Sequence, residues 1–382
     1  MSLYLFPYNL LKNGQRNPNG ISVPMDAIKT ISDLLGREAE KGAFSGAQAA
    51  WCRGSGAGVA VACAGTVRKA GGQAIDAQSL FDIASVTKLF TATATLALAD
   101  QGRFSLDAPL AAALPGREDH PLATATARQL LAHEAGLRDW LPLFEAVPSD
   151  SRGTREAKEQ IVALALASEP AAAPGAKTLY SDLGYIVLAH LLEQSTGQAL
   201  DALVAAEVTG PLGLDSVRFR PVSGAPGEPS GIAATEACPW RGRILVGEAH
   251  DDNAWAMGGV SGHAGLFATA SDVARLGAAW LDWLERGGLV SKALATEATT
   301  RRPGGRGLGW DFKSPQGSSA GERLGPRSFG HLGFTGCSLW VDPDRRLSVA
   351  LHTNRVHLGR GNSALAALRP RFQDLLIESL EG

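Results

Sequence analysis

The chain has 382 residues, of which 45% are hydrophobic and 19% charged, and a formal charge of −2. It is long and apolar enough to bury a sizeable core in one large or two ordinary domains. With no basic patch, acidic tail or long apolar run, nothing points to nucleic-acid binding, a disordered tail or a membrane-spanning helix.

The segment from Met1 to Pro24 is rich in Asn, Gly and Pro after Tyr8 and reads as a loose arm (residues 1–24). It lacks the basic start and continuous apolar stretch of a secretory leader. Met1-Ser2-Leu3 and Glu381-Gly382 read as appended ends, which a trimmed leader would explain. The compartment (bacterial periplasm, exterior or cytoplasm) is therefore left open.

Asp26 to Lys41 carries helical periodicity through Ile28, Ile31, Leu34 and Leu35. Two strand-like runs follow, Ala47 to Cys52 and Gly58 to Ala64, around the turn Arg53-Gly54-Ser55-Gly56. After a helix from Ser85 to Asp100 come Glu156 to Ala167, Tyr180 to Gly197 and Leu200 to Val208, all helical. Val222 to Gly231 reads as a long surface loop, and Gly258 to Gly265 as a small-residue crossing. Ser271 to Glu285 is helical, Arg301 to Gly309 is a loop, and Leu308 to Phe312, Ser338 to Val341 and Leu347 to Thr353 are strand candidates. The last helix, Ser363 to Leu380, is expected to break near Pro370.

Strands at both ends and helices between predict an α+β fold: an antiparallel sheet flanked by the N- and C-terminal helices, plus an all-helical insert. The sheet region takes residues 25–100 and 256–382, and the mainly helical region residues 101–255.

The chemistry gathers at Leu80-Phe81-Asp82-Ile83-Ala84-Ser85-Val86-Thr87-Lys88. Ser85 stands where an extended approach turns into a helix, and Lys88 follows one turn on, on the same face. A desolvated Lys with a lowered pKa could take the Ser proton, and a helix start offers a free N–H to an oxyanion. Alone, the pair more commonly marks an N-cap Ser followed by a solvated Lys. Two later stretches support the chemical reading: Tyr180-Ser181-Asp182 at a loop-to-helix junction, and His331-Leu332-Gly333 just before a strand.

Ser-x-x-Lys, a Tyr-led triplet and a basic-x-Gly strand, in that order, resemble the serine β-lactamase and penicillin-binding-protein superfamily, nearest its class C-like branch. Leu130-Leu131-Ala132-His133-Glu134-Ala135-Gly136-Leu137, Pro211-Leu212-Gly213-Leu214 and Gly265-Leu266-Phe267-Ala268-Thr269 resemble further landmarks of that branch. The likeness implies a two-region β-lactamase/transpeptidase-like fold and a serine hydrolase that works through an acyl-enzyme and needs no cofactor. Its partners would be small-molecule or peptide substrates: esters, D-Ala-D-Ala-type peptides or β-lactams.

By that resemblance Ser85 is the nucleophile, Lys88 the acylation base, and Tyr180 the proton relay to the leaving group. The backbone N–H groups of Ser85 and Phe334 form the oxyanion hole. Asp182 stands where Asn is commonest; it would hold Lys88 protonated and cannot donate to a substrate carbonyl, which argues against efficient β-lactam hydrolysis. His331 replaces the usual Lys and would give a positive or hydrogen-bonding contact to a substrate carboxylate. Gly333 would let the substrate backbone approach, Leu332 forfeits a common Thr hydroxyl, and Arg355 is a candidate carboxylate contact. His250, Asp251 and Asp252 read as loop structure.

Cys52, Cys63, Cys238 and Cys337 form no Cys-x-x-Cys pair and join no His cluster, so no metal site is expected, and a disulfide is left open. Gly317-Ser318-Ser319-Ala320-Gly321 fits a nucleophile-elbow pattern but has no helix after it. Two rival readings stand beside the acyl-enzyme hydrolase: an efficient class C-type β-lactamase, and a silent peptidoglycan- or peptide-binding module on the same fold.

Overall fold

The computed structural model describes residues 25–69, 71–113, 119–219 and 231–381. The expected arm over 1–24, and all but the last residue of the 222–231 loop, lie outside these described residues.

The two ends of the chain meet in one six-stranded antiparallel sheet. Its order is Ala60–Gly65, Gly46–Cys52, Leu347–Thr353, Ser338–Asp342, Phe329–Leu332 and Asp311–Phe312. Ala50 stands opposite both Val61 and Ala350, so the first hairpin and the last long strand share a register. Every residue of Gly46–Cys52 is buried because helices cover both faces. Ala47, Ala49 and Trp51 face the layer of Met25–Glu40 and Ala364–Glu381, where Ile31, Leu35, Phe372 and Leu376 pack. Ala50 and Cys52 point the other way, to Ala270–Arg286 and its buried Trp280. This period-two alternation makes one strand the centre of two cores. The close fit needs small residues, since a Cβ on Gly277 would lie 2.3 Å from Ser348 Oγ.

The helical part includes Arg155–Ala167, Asp182–Thr196 and Leu200–Val204, the last running on through a π-turn at Ala205–Thr209. Thr154, Ser181, Asp251, Thr269 and Ser291 cap their helices through the side-chain oxygen.

Two expectations change. The last helix does not break: Ala364–Glu381 runs through Pro370, because Leu365, Leu368, Phe372 and Leu376 are buried along it and packing outweighs one lost hydrogen bond. His331 lies inside a strand, Phe329–Leu332, rather than before one. Lys292–Ala298, a stretch given no element in the sequence analysis, forms a short helix capped by Ser291.

Candidate active site

Phe81–Asp82 is a short strand whose buried Asp82 shapes the turn to Ser85. The Asp82 carboxyl accepts the N–H of Ala84 (2.8 Å) and of His250 (2.7 Å), and its carbonyl accepts the Thr335 hydroxyl (2.7 Å). Ala84 takes φ +46°, a strained value for a residue with a Cβ. Ser85 therefore sits in a single 3₁₀ turn, Ala84–Val86, and the α-helix opens at Thr87, two residues later than the sequence suggested. The helix Thr87–Asp100 is buried through Leu98, with Thr91, Thr93 and Thr95 bonding carbonyls instead of solvent.

That burial takes Lys88 with it. Its Nζ donates to Ser85 Oγ at 2.9 Å and to the His263 carbonyl at 3.1 Å, and pairs with Asp182 Oδ1 at 2.7 Å. It also lies 5.0 Å from the centre of the Tyr180 ring. Burial alone would lower the Lys88 pKa, but Asp182 and Tyr180 outweigh it and hold the amine above the ordinary lysine value. The Asp182 carboxylate thus favours the ammonium form, as its place beside Lys88 led the sequence reading to expect.

Tyr180 precedes the helix Asp182–Thr196, where Ser181 is the N-cap and accepts Gly184 N–H at 3.0 Å. Its ring is surrounded: His133 lies 4.6 Å away, His331 5.9 Å, and the Arg306 guanidinium 4.9 Å, all measured to the Tyr180 centroid.

His331 is buried, and its Nδ1 lies 2.8 Å from the Leu332 carbonyl, which can only accept. The ring proton is thus on Nδ1, and Nε2 presents a lone pair that no group among the described residues fills. Burial, with Lys88 and Arg306 nearby, pushes the pKa down to about 3. Of the positive or hydrogen-bonding contact expected at His331, the low pKa disfavours the positive form, and Nε2 is left as a hydrogen-bond acceptor.

Gly333 lines the cavity, and a Cβ there would lie 2.5 Å from the Ile83 carbonyl, so its small size also admits the turn that carries Ser85. Phe334, the next residue, lines the same cavity as Ser85. The half-exposed Phe334 ring stacks on His250 at 5.5 Å, with the Arg355 guanidinium 4.9 Å from its centre. Thr335 is buried on Asp82, which leaves His331-Leu332-Gly333 as the triplet facing the cavity.

Ser85, Tyr180, Asp182, His331, Phe334 and Trp140 are among the residues lining one cavity of about 610 Å³. Asp251 lines it as well: its Oδ1 takes His263 Nε2 at 2.8 Å and Ala254 N–H at 2.8 Å. Burial opposes its ionisation, yet His263 and these bonds hold its carboxyl below the usual range. Ligand atoms of Asp182, Asp251 and His263 lie within 4.8 Å of one another, a spacing that suits a cation. The Lys88 ammonium, 2.7 Å from Asp182, already supplies that charge.

Of the residues singled out in the sequence, Ser85, Tyr180, Asp182, His331, Gly333, Phe334 and Arg355 line one cavity and Lys88 bonds to Ser85 next to it; His133, His263 and Arg306 were passed over, and Asp251 was read as loop structure. His133 stood inside a quoted landmark, and His263 inside the small-residue crossing. Asp251 and Arg306 carried only the signal of charge within a loop.

An α+β sheet-and-helix fold with Ser-x-x-Lys at its buried helix start defines a serine hydrolase of the β-lactamase/transpeptidase-like fold. The model of the Beta-lactamase family matches residues 32–370, and the chain belongs to that family. It is 29% identical over 310 residues to the Escherichia coli protein named "Putative D-alanyl-D-alanine carboxypeptidase", covering 73% of this chain and 70% of that one. It is 29% identical to a Bacillus subtilis N-acetylmuramyl-L-alanine amidase, covering 73% and 69% of the two chains. A penicillin-binding-protein homologue from Caulobacter crescentus shares the fold, with a TM-score of 0.71 at 19% identity over 94% of this chain and 99% of that one. Among the described residues, no helix is long and apolar enough to cross a membrane.

Proposed function

We propose that the protein hydrolyses esters or D-alanyl-D-alanine-type peptides through an acyl-enzyme on Ser85, with weak β-lactamase activity at best. The observation that carries this reading is the Lys88 ammonium, shared by the Ser85 hydroxyl and the Asp182 carboxylate and close to the Tyr180 ring. The names of the carboxypeptidase and amidase relatives point the same way.

Ser85 Oγ adds to the substrate carbonyl, whose oxygen takes the N–H groups of Ser85 and Phe334. Lys88 orients Oγ but has no lone pair to accept its proton. Tyr180 relays that proton, its hydroxyl oxygen accepting it while giving up its own to the leaving nitrogen or oxygen as the scissile bond breaks. Water then attacks the acyl carbon, gives a proton to Tyr180, and the phenol returns it to Ser85.

A carboxylate at Asp182 offers no donor to a substrate amide carbonyl, which supports the weak β-lactamase part of the reading. The neutral His331 leaves the recognition of anions to the arginines. Arg355 donates Nη1 to the carbonyls of Arg360 and Asn362, Arg360 forks onto Glu236, and Arg369 donates to the Gly333 and Cys337 carbonyls. Arg306 lines the cavity with Asp311 at 3.6 Å, beyond hydrogen-bond distance. Arg306, rather than Arg355, is the guanidinium we assign to a substrate carboxylate.

The test is a panel of p-nitrophenyl esters, a D-Ala-D-Ala peptide and nitrocefin, each with wild type and Ser85→Ala. Ester or peptide hydrolysis that Ser85→Ala abolishes, with slow nitrocefin turnover, is the expected result. Hydrolysis that survives Ser85→Ala would overturn the reading, and nitrocefin turnover faster than ester turnover would overturn its β-lactam part.

A further inference from the structure

The segment from His133 to Asp139 runs beside the one that carries Tyr180, and backbone bonds tie the two together. Gly175 N–H donates to the Glu134 carbonyl (2.7 Å), Leu179 N–H to the His133 carbonyl (2.8 Å), and Asp182 N–H to the Asp139 carbonyl (2.7 Å). His133 is the residue at the centre of this arrangement. Its carbonyl holds residue 179, its ring Nδ1 accepts the Ser181 N–H at 3.0 Å, and its ring lies 4.6 Å from that of Tyr180. The residues before and after Tyr180 are thus both bonded to His133, and the ring between them lies against its imidazole.

The geometry has a cost that packing alone does not explain. His133 adopts φ +58°, the left-handed region that a residue with a Cβ enters at a penalty. The ring is buried, and because Nδ1 accepts an N–H, the neutral ring carries its proton on Nε2. That Nε2–H has no partner among the described residues. A Leu or Phe would fill the same space without a buried, unpaired donor; what they could not do is accept the Ser181 N–H. Burial, together with Arg306, Lys88 and His331, keeps the imidazole pKa well below the ordinary histidine value, so the acceptor persists across the working pH range.

We infer that His133 is a positioning residue for Tyr180: its Nδ1 acceptor and its adjoining, tilted ring set where the phenol oxygen stands relative to Lys88 and Ser85. The inference rests on the assignment of Tyr180 as proton relay. His133 touches neither substrate nor reacting atoms in this role. Its effect falls on the rate of proton transfer rather than on substrate affinity, because a relay displaced by a fraction of an ångström still leaves the cavity open.

The test compares His133→Ala, His133→Asn and His133→Gln in steady-state ester hydrolysis, with Ser85 sites counted by a fluorophosphonate label so that misfolded protein does not enter the rate. The Asn Oδ1 falls near the position of Nδ1 and Asn tolerates the left-handed backbone, whereas Gln places its amide nearer Nε2. His133→Ala is expected to lower kcat per labelled site roughly ten- to a hundredfold with KM changed by less than about threefold. His133→Asn should recover most of that loss and His133→Gln should not. Wild-type kcat per labelled site in His133→Ala overturns the inference, as does a His133→Asn no better than His133→Ala. Tyr180→Phe is run alongside: full activity in that variant would show that the relay assignment itself has failed, a result distinct from failure at His133.

Discussion

Two walls of the same cavity are built to different standards. Around Lys88 the charges balance: its ammonium donates to Ser85 Oγ and to the His263 carbonyl, and pairs with the Asp182 carboxylate at 2.7 Å. Across the Tyr180 ring no charge answers the polar atoms left over, the His133 Nε2 and His331 Nε2, which are buried with no hydrogen-bond partner among the described residues. A buried polar atom left unpaired costs about 1–3 kcal/mol, so it persists where something beyond stability holds it. The charge-balanced side holds Ser85, and on the other side His331 lines the cavity with its unpaired Nε2 while His133 stands behind Tyr180.

The largest effect should come from removing the charge on the Lys88 side. Lys88→Met is expected to lower kcat for ester hydrolysis by roughly a thousandfold, because Ser85 loses its donor and Tyr180 its neighbouring cation. It should also cost about 3 kcal/mol of stability, since Asp182 is left unpaired in a largely buried position; thermal unfolding measures this. Retention of wild-type kcat would show that the ammonium serves packing alone.

Gly333→Ala comes next. The added methyl meets the Ile83 carbonyl and must push the His331 strand away from the Ser85 turn. A fall in kcat/KM of roughly tenfold or more, with labelling of Ser85 slowed to match, is the expected outcome. Unchanged labelling would mean that the two segments are not held together as described.

A smaller change follows from Asp182→Asn, which keeps the shape but removes the charge that raises Lys88. The lysine pKa then falls, and the amide offers a donor to a substrate carbonyl. Nitrocefin turnover should rise by roughly tenfold, while a fall would show that the carboxylate aids β-lactam hydrolysis.

The smallest effect is on stability in acid. The unfolded chain binds a proton at His331 near pH 6.5, and the folded protein only near 3, so this residue costs stability as pH falls between those values. From pH 7 to 5 the penalty reaches about 2 kcal/mol, from roughly 1.5 pKa units of unmatched protonation. His331→Gln should therefore lose less stability over that interval than wild type, as chemical denaturation at the two pH values would reveal. Equal losses would mean that the ring is charged in the folded state.

How much of this was legible beforehand follows the same division. Ser85 and Lys88 are three positions apart in one helical run, so local geometry sufficed, and Tyr180 and His331 were found through motif order. The sheet was readable from its alternation, because Gly46–Cys52 and Leu347–Thr353 carry their own strand signals. The protonation states were not readable. They depend on burial and on charges brought together from distant parts of the chain, such as Asp182 against Lys88 and Arg306 near His331. His133 and Arg306 lie in irregular segments, where neither period nor spacing says which way a side chain turns. Pro370 misled for the related reason that a local rule was overruled by the packing of Phe372 and Leu376.

The central claim is tested most directly by mass spectrometry of the protein after reaction with a fluorophosphonate, with peptide mapping of the adduct. A single adduct on the peptide that contains Ser85, absent in Ser85→Ala, is what the account predicts. An adduct on another serine, or full labelling of Ser85→Ala, would contradict it.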